Sequence, residues 1–135
     1  MALDQHSQRH AQHLLWVPDL HVETARTSAG TVCSFAGDLH ADNAQLVRQI
    51  LDEALDQARG TRVVAVDLSA VALFTSSALN TLLAAHQRAR AGRTELVVAA
   101  PSERVRRVLE VTGADTVLTV CQTLEQALRR PVPAA

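Results

Sequence analysis

The sequence predicts an α/β domain with a mixed central β-sheet of about five strands and about four α-helices packed mainly on one face. Three observations predict it. Segments follow the order strand, strand, helix, and then strand and helix in alternation, which implies parallel crossovers. The run Val63-Val64-Ala65-Val66-Asp67-Leu68 is almost continuously apolar, as expected for a strand covered on both faces. The helical segments carry one apolar stripe each and end at single glycines. A length of 135 residues suits one domain. That domain is placed at 20–130, after an N-terminal extension at 1–19 and before a short tail at 131–135.

The elements follow in order. The first residues are polar and rich in histidine, then briefly apolar at Leu14-Leu15-Trp16. They read as a loose extension or short helix whose Trp16 end packs on the domain. Leu20–Arg26 and Thr31–Ala36 read as two strands joined by a turn at Ser28-Ala29-Gly30. Gly37-Asp38-Leu39-His40 reads as a loop, and Asp42 or a neighbour caps the first main helix. Val47, Ile50, Leu51, Ala54, Leu55 and Ala58 form its inner stripe, and Gly60 stops it.

Arg62–Leu68 is the next strand, and Ser76 or Ser77 opens the following helix. Leu79, Leu82, Leu83, His86 and Ala89 form that helix's stripe, with His86 read as an edge residue rather than a ligand. Thr94–Ala100 is a buried strand. Pro101-Ser102 starts a helix that Thr112-Gly113 closes. Thr116–Val120 is a short strand, and Thr123 with Gln126 matches a capping box before the last helix. Pro131-Val132-Pro133 ends the structure.

Composition excludes several classes. All 13 basic residues are arginine, and the formal net charge is −1, so no general attraction to nucleic acid or anionic lipid is expected. With no tyrosine and few other aromatics, a base-stacking surface is not expected either. No apolar stretch approaches the roughly 20 residues of a membrane span. His13-Leu14-Leu15-Trp16-Val17 is too short an apolar core for a signal peptide, so the cytoplasm is the expected location. Cys33 and Cys121 stand apart in or beside apolar runs and read as free, buried thiols of a reducing compartment.

Enzymatic signatures are missing. The glycines at 30, 37, 60, 92 and 113 stand singly and form no phosphate loop. No G-x-S-x-G elbow surrounds Ser76, and there is no HExxH or CxxC pair. His40 has no evident acidic partner with which to activate Ser76, so no enzyme is expected. His6, His10 and His13 would share one face of a helix, but without convincing further ligands no metal site is expected. No cofactor is expected. Arg104, Arg106 and Arg107 read as a solvated helix face with Glu103 and Glu110 as partners, or as a contact surface for an acidic partner.

The segment Leu73-Phe74-Thr75-Ser76-Ser77-Ala78-Leu79-Asn80 carries the main functional signal. It leaves an apolar strand and opens a helix with hydroxyl groups. Unpaired N–H groups and the positive end of the helix dipole meet there, a setting that tolerates a phosphate. A serine at such a place is a cap or a switch.

Several stretches together resemble the STAS domain of bacterial anti-sigma factor antagonists. They are Val64-Ala65-Val66-Asp67-Leu68-Ser69, Thr75-Ser76-Ser77-Ala78-Leu79, and Val105-Arg106-Arg107-Val108-Leu109-Glu110-Val111-Thr112-Gly113-Ala114-Asp115. Gly37-Asp38-Leu39-His40 resembles that family's G-E-L-D loop, and the likeness runs from about Leu20 to Leu128. The resemblance implies the STAS fold. It also implies a partner, a GHKL-type serine kinase that is itself the anti-sigma factor. By position Ser76 matches the phospho-acceptor of the family's D-S-[ST]-G-L pattern, with Thr75 a lesser candidate. Asp38, His40, Thr75, Ser76 and Ser77 would form the docking surface of a monomer or weak dimer. Thr75 and His40 replace family aspartates, and Ala78 replaces a glycine.

These departures sustain a second expectation, a diverged STAS domain that acts as a scaffold of a stress-signalling assembly or as an accessory subunit of a transporter. Ser76 would then be only a helix cap. A third reading is small-ligand or nucleotide binding at the same loop.

Overall fold

The computed structural model describes residues 9–58 and 63–130, with side chains from Leu14 onward. Six strands form one sheet in the order β1-β2-β3-β4-β5-β6. They are β1 (Arg9–Val17), β2 (Leu20–Thr27), β3 (Gly30–Leu39), β4 (Val63–Phe74), β5 (Glu95–Ala99) and β6 (Thr119–Cys121). The helices are α1 (Ala44–Ala58), α2 (Ser76–Ala91), α3 (Glu103–Thr112) and α4 (Leu124–Leu128). β1, β2 and β3 pair antiparallel, and β3 to β6 pair parallel. The mixed α/β fold is as expected, with one strand more.

The extra strand is β1, where a loose extension or short helix was expected. Arg9–Val17 instead pairs along β2, ending with Val17 opposite Leu20. Pro18 and Asp19 make the turn, with Asp19 left-handed at φ 68. Trp16 does not pack into the core. It is 73% exposed and stacks on the ring of His21 directly across the pair. The proposed face of His6, His10 and His13 is not helical where it can be followed, since 10 and 13 lie in a strand; residue 6 lies outside the described residues. The helix stop at Gly60, the strand start at Arg62 and the end at Pro131-Val132-Pro133 also lie outside them.

Sequential strand order explains the layering. Right-handed crossovers that all step the same way along a sheet put their helices on the same face. Thus α1, α2 and α3 share one face, and α4, which follows the last strand, covers the other. Alternation along β4 divides its side chains accordingly. Val64, Val66 and Leu68 join Phe35, Leu51, Leu82, Val98 and Leu109 in the larger core. Val63 and Ala65 join Val32, Val97, Ala99 and Ala127 beneath α4. Each fully buried Val or Leu in these layers contributes roughly 1.5–3 kcal/mol of transfer free energy.

The β3–β4 pair extends further than the sequence suggests. β3 runs through Leu39 and β4 through Phe74, with register shifts at Ser34/Ala36 and Gly37/Asp38. Gly37 is required here: it sits at φ 115, and a Cβ would lie 2.3 Å from the Asp19 carbonyl oxygen. Toward the other end of the chain the last strand, expected at Thr116–Val120, is Thr119–Cys121, and Thr116 instead ends a 3-10 turn, Ala114–Thr116.

Candidate functional site

The carboxyl ends of β3 and β4 lie side by side, with Leu39 opposite Phe74. Ligand and partner sites of open α/β sheets gather at such ends. α2 starts here and is capped by Thr75, not by Ser76 or Ser77. The Thr75 backbone is extended (φ −92, ψ 174), and its Oγ1 accepts from the Ala78 N–H at 3.4 Å. The same hydroxyl donates to the Leu39 carbonyl at 3.2 Å, and the Thr75 N–H donates to that carbonyl at 3.1 Å. One threonine therefore caps α2 and ties it to the loop after β3.

Ser76 is the first residue of α2, and its side chain is exposed. No hydrogen bond from it is found among the described residues. Ser77 is half-buried, and its carbonyl accepts from the Thr81 hydroxyl at 2.9 Å. The first turn of α2 contains no acidic residue, so its positive dipole end is not neutralised from within the helix.

The loop after β3 brings Asp38 and His40 to the same end of the sheet. His40, not Asp42, caps a 3-10 turn (Ala41–Asn43) that leads into α1. His40 Nδ1 accepts from the Asp42 N–H at 3.2 Å. The buried Asn43 closes the loop: its Oδ1 accepts from the His40 N–H at 3.1 Å, and its Nδ2 donates to the Asp38 carbonyl at 2.9 Å. The β1–β2 turn braces the loop from outside. The Asp38 N–H donates to the Asp19 carbonyl at 2.8 Å, and the Asp19 carboxylate lies 3.7 Å from His40 Nε2.

All five residues singled out in the sequence, Asp38, His40, Thr75, Ser76 and Ser77, thus stand on two adjoining segments. Asn43 and Asp19 were missed. Asn43 had a signal, an amide three residues after the capping position. Asp19 had one too, a Pro-Asp turn between apolar pairs. Below the loops, between the sheet, α1 and α2, lies an apolar cavity of about 10 Å³. That is room for about one water, against the roughly 300 Å³ or more of a small-molecule pocket.

Other candidates fall elsewhere. Cys33 is fully buried, and burial pushes its thiol up to about 12, so it carries no thiolate at neutral pH. Cys121 is free and only half-buried, on the short strand β6. Arg104, Arg106 and Arg107 are exposed on α3, and none of the ion pairs among the described residues joins them to Glu103 or Glu110. Among the described residues no group of three or more His, Cys, Asp or Glu is placed to hold a metal ion. No helix among them is long and apolar enough to cross a membrane.

A six-stranded mixed sheet, three helices on one face and a hydroxyl-bearing helix start at the strand ends define a compact α/β domain of recognisable class. The STAS domain family model matches residues 21–127, and the chain belongs to that family. Solved structures share its fold. An anti-sigma factor antagonist from Mycobacterium paratuberculosis superposes with a TM-score of 0.67 at 24% identity, covering 84% of this chain and 96% of that one. An anti-sigma-factor antagonist (STAS) domain protein from Planctomyces limnophilus gives 0.69 at 24% identity, covering 79% and 93%. The Bacillus cell fate determinant SpoIIAA in its phosphorylated form gives 0.51 at 22% identity, covering 87% and 96%. At these identities the likeness is one of fold.

Proposed function

We propose that this chain is an anti-sigma factor antagonist whose switch is Ser76. In this reading it binds a GHKL-type kinase that is also the anti-sigma factor, and so releases the sigma factor. Phosphorylation of Ser76 ends the binding. The chain itself catalyses nothing and holds no cofactor. It works in the cytoplasm as a monomer or weak dimer, with no nucleic-acid or membrane partner.

The observation that carries the proposal is the division of labour between adjacent hydroxyls. Thr75 is committed to Ala78 and Leu39, while Ser76 is exposed at the first position of α2. A phosphate on Thr75 would remove the proton that it donates to the Leu39 carbonyl and crowd its half-buried capping oxygen, which makes Ser76 the better acceptor. On Ser76 it would add about −1.5 to −2 charges beside a positive helix end, so the fold persists while the docking surface becomes strongly negative. Asp38, His40, Thr75 and Ser77 form the rest of that surface.

The test is a pull-down from native lysate with wild type and Ser76→Asp, together with mass spectrometry of Ser76. A GHKL kinase retained by wild type and lost by the variant supports the proposal. Equal retention by both removes the switch. The latter result would favour a constitutive scaffold or accessory subunit, a reading supported by the missing carboxylates at Thr75 and His40. The capping role which that reading gave to Ser76 is, however, filled by Thr75.

A further inference from the structure

At the end of the sheet remote from Ser76, the C-terminus of α2 and the starts of β5 and β6 border an open groove of about 510 Å³. Arg90, Arg93 and Arg130 line it, with His86, Thr119 and a single carboxylate, Glu95. Arg130 lies 3.3 Å from Glu95, so among the described residues three guanidinium groups face one carboxylate. Arg90 and Arg93 are exposed, and none of the ion pairs among the described residues engages them. Arg93 also holds a left-handed backbone at φ 59, directly after Gly92, a conformation that glycine adopts more readily.

His86 supplies the second observation. From the sequence it reads as an edge residue rather than a ligand, and it is only 9% exposed. Its Nδ1 is buried with no hydrogen-bond partner among the described residues. Buried ring nitrogens normally have a partner, and one without calls for an explanation.

We propose that this groove binds a phosphate-class oxyanion, gripped by Arg90 and Arg93 with His86 behind them. Guanidinium forks match the spacing of phosphate oxygens. The excess of two positive groups matches a phosphate or phosphomonoester, which carries about −1.5 to −2 charges near pH 7. The site shares no residue with the Ser76 surface and does not depend on its role.

The test is an NMR titration of the intact protein with inorganic phosphate at constant ionic strength set by sodium chloride. Saturable shifts are expected at the amides of Arg90, Arg93, Thr94 and Thr119. The His86 ring should titrate at higher pH with phosphate present, because an added anion favours the imidazolium against Arg90, Arg93 and Arg130, alongside Glu95. The double variant Arg90→Gln/Arg93→Gln should weaken binding roughly tenfold or more. Arg104→Gln/Arg107→Gln, which removes the same charge from α3, should leave it unchanged. Shifts that grow without saturating, equal weakening in the α3 variant, or no weakening in the groove variant would each overturn the proposal. A nucleoside monophosphate as second probe separates the sources. Tighter binding than phosphate identifies a phosphomonoester ligand, and equal binding identifies the free anion.

Discussion

The Thr75 hydroxyl donates to the Leu39 carbonyl at 3.2 Å, across 36 residues of sequence. With the Thr75 N–H on the same carbonyl, the start of α2 and the loop after β3 share one acceptor. The orientation of Ser76 is therefore set from β3 as much as from its own helix.

Replacing Thr75 with valine removes the cap and the side-chain tie while keeping the shape. The expected loss is about 1–2 kcal/mol, read as a fall in Tm of roughly 3–10 °C. Thr75→Asp keeps a capping oxygen but has no proton to give the Leu39 carbonyl, so its stability should fall between those of the valine variant and wild type. It also restores a family carboxylate next to Ser76. On the proposed reading of Ser76 as a switch, its phosphorylation by the kinase partner should rise in this variant, and an unchanged rate would show that Thr75 does not limit that reaction.

Asn43→Ala strips partners from the His40 N–H and the Asp38 carbonyl at once. A cost of about 1–3 kcal/mol is expected in urea unfolding. Native-state hydrogen exchange should speed up at the His40 amide before it does in β4. Uniform exchange across the sheet would contradict a local role.

Gly37→Ala forces a Cβ toward the Asp19 carbonyl oxygen at a backbone angle that side chains avoid. Destabilisation above about 2 kcal/mol is expected, with loss of the Asp38-to-Asp19 hydrogen bond. Ala introduced at Gly113, where φ is positive but no atom lies within 4 Å, should cost less. The two variants compared by thermal unfolding separate steric conflict from backbone strain.

The buried groups predict a pH profile with losses at both ends. Burial raises the Cys33 thiol from 9.0 to about 12. The unfolded chain therefore releases that proton first, and stability falls as pH climbs from about 9 toward 12. Burial, and then Arg90, lowers His86 below its usual 6.5. The unfolded chain takes up that proton first, so stability falls as pH drops below about 6.5. Cys33→Ala should flatten the alkaline limb and His86→Gln the acidic one. A thiol reagent at pH 8 should modify Cys121 in the folded protein and reach Cys33 only on unfolding.

Periodic segments were legible in the sequence. The stripe from Val47 to Ala58 and the apolar run from Val63 to Leu68 lie where their patterns placed them, because burial on one face or both imposes those periods. β1 was not legible: its first half is polar, and its pairing is set by the Pro18–Asp19 turn and by β2. The cap of α2 could not be chosen locally either. Thr75, Ser76 and Ser77 all carry suitable hydroxyls, and only the pairing of Phe74 with Leu39 fixes where the strand stops. The capping box expected at Thr123 is half formed. Thr123 accepts from the Gln126 N–H, while Gln126 Oε1 accepts from the Gln122 N–H instead. His86 holds the stripe position its spacing placed it in, but the pattern could not show that its Nδ1 finds no partner there among the described residues.

The unscrambled strand order also bears on how the chain assembles during synthesis. Every strand after the first docks on the one made just before it, so the growing sheet never waits for a distant segment. Asp19, Asp38, His40, Asn43 and Thr75 to Ser77 all precede β5 in the chain and emerge before it does. The Ser76 end is nevertheless completed late, because Ser102 at the start of α3 donates its hydroxyl to the Val71 carbonyl at 2.8 Å and its N–H to that of Leu68 at 3.0 Å, so an end begun by β3 and β4 is closed by residues made after them.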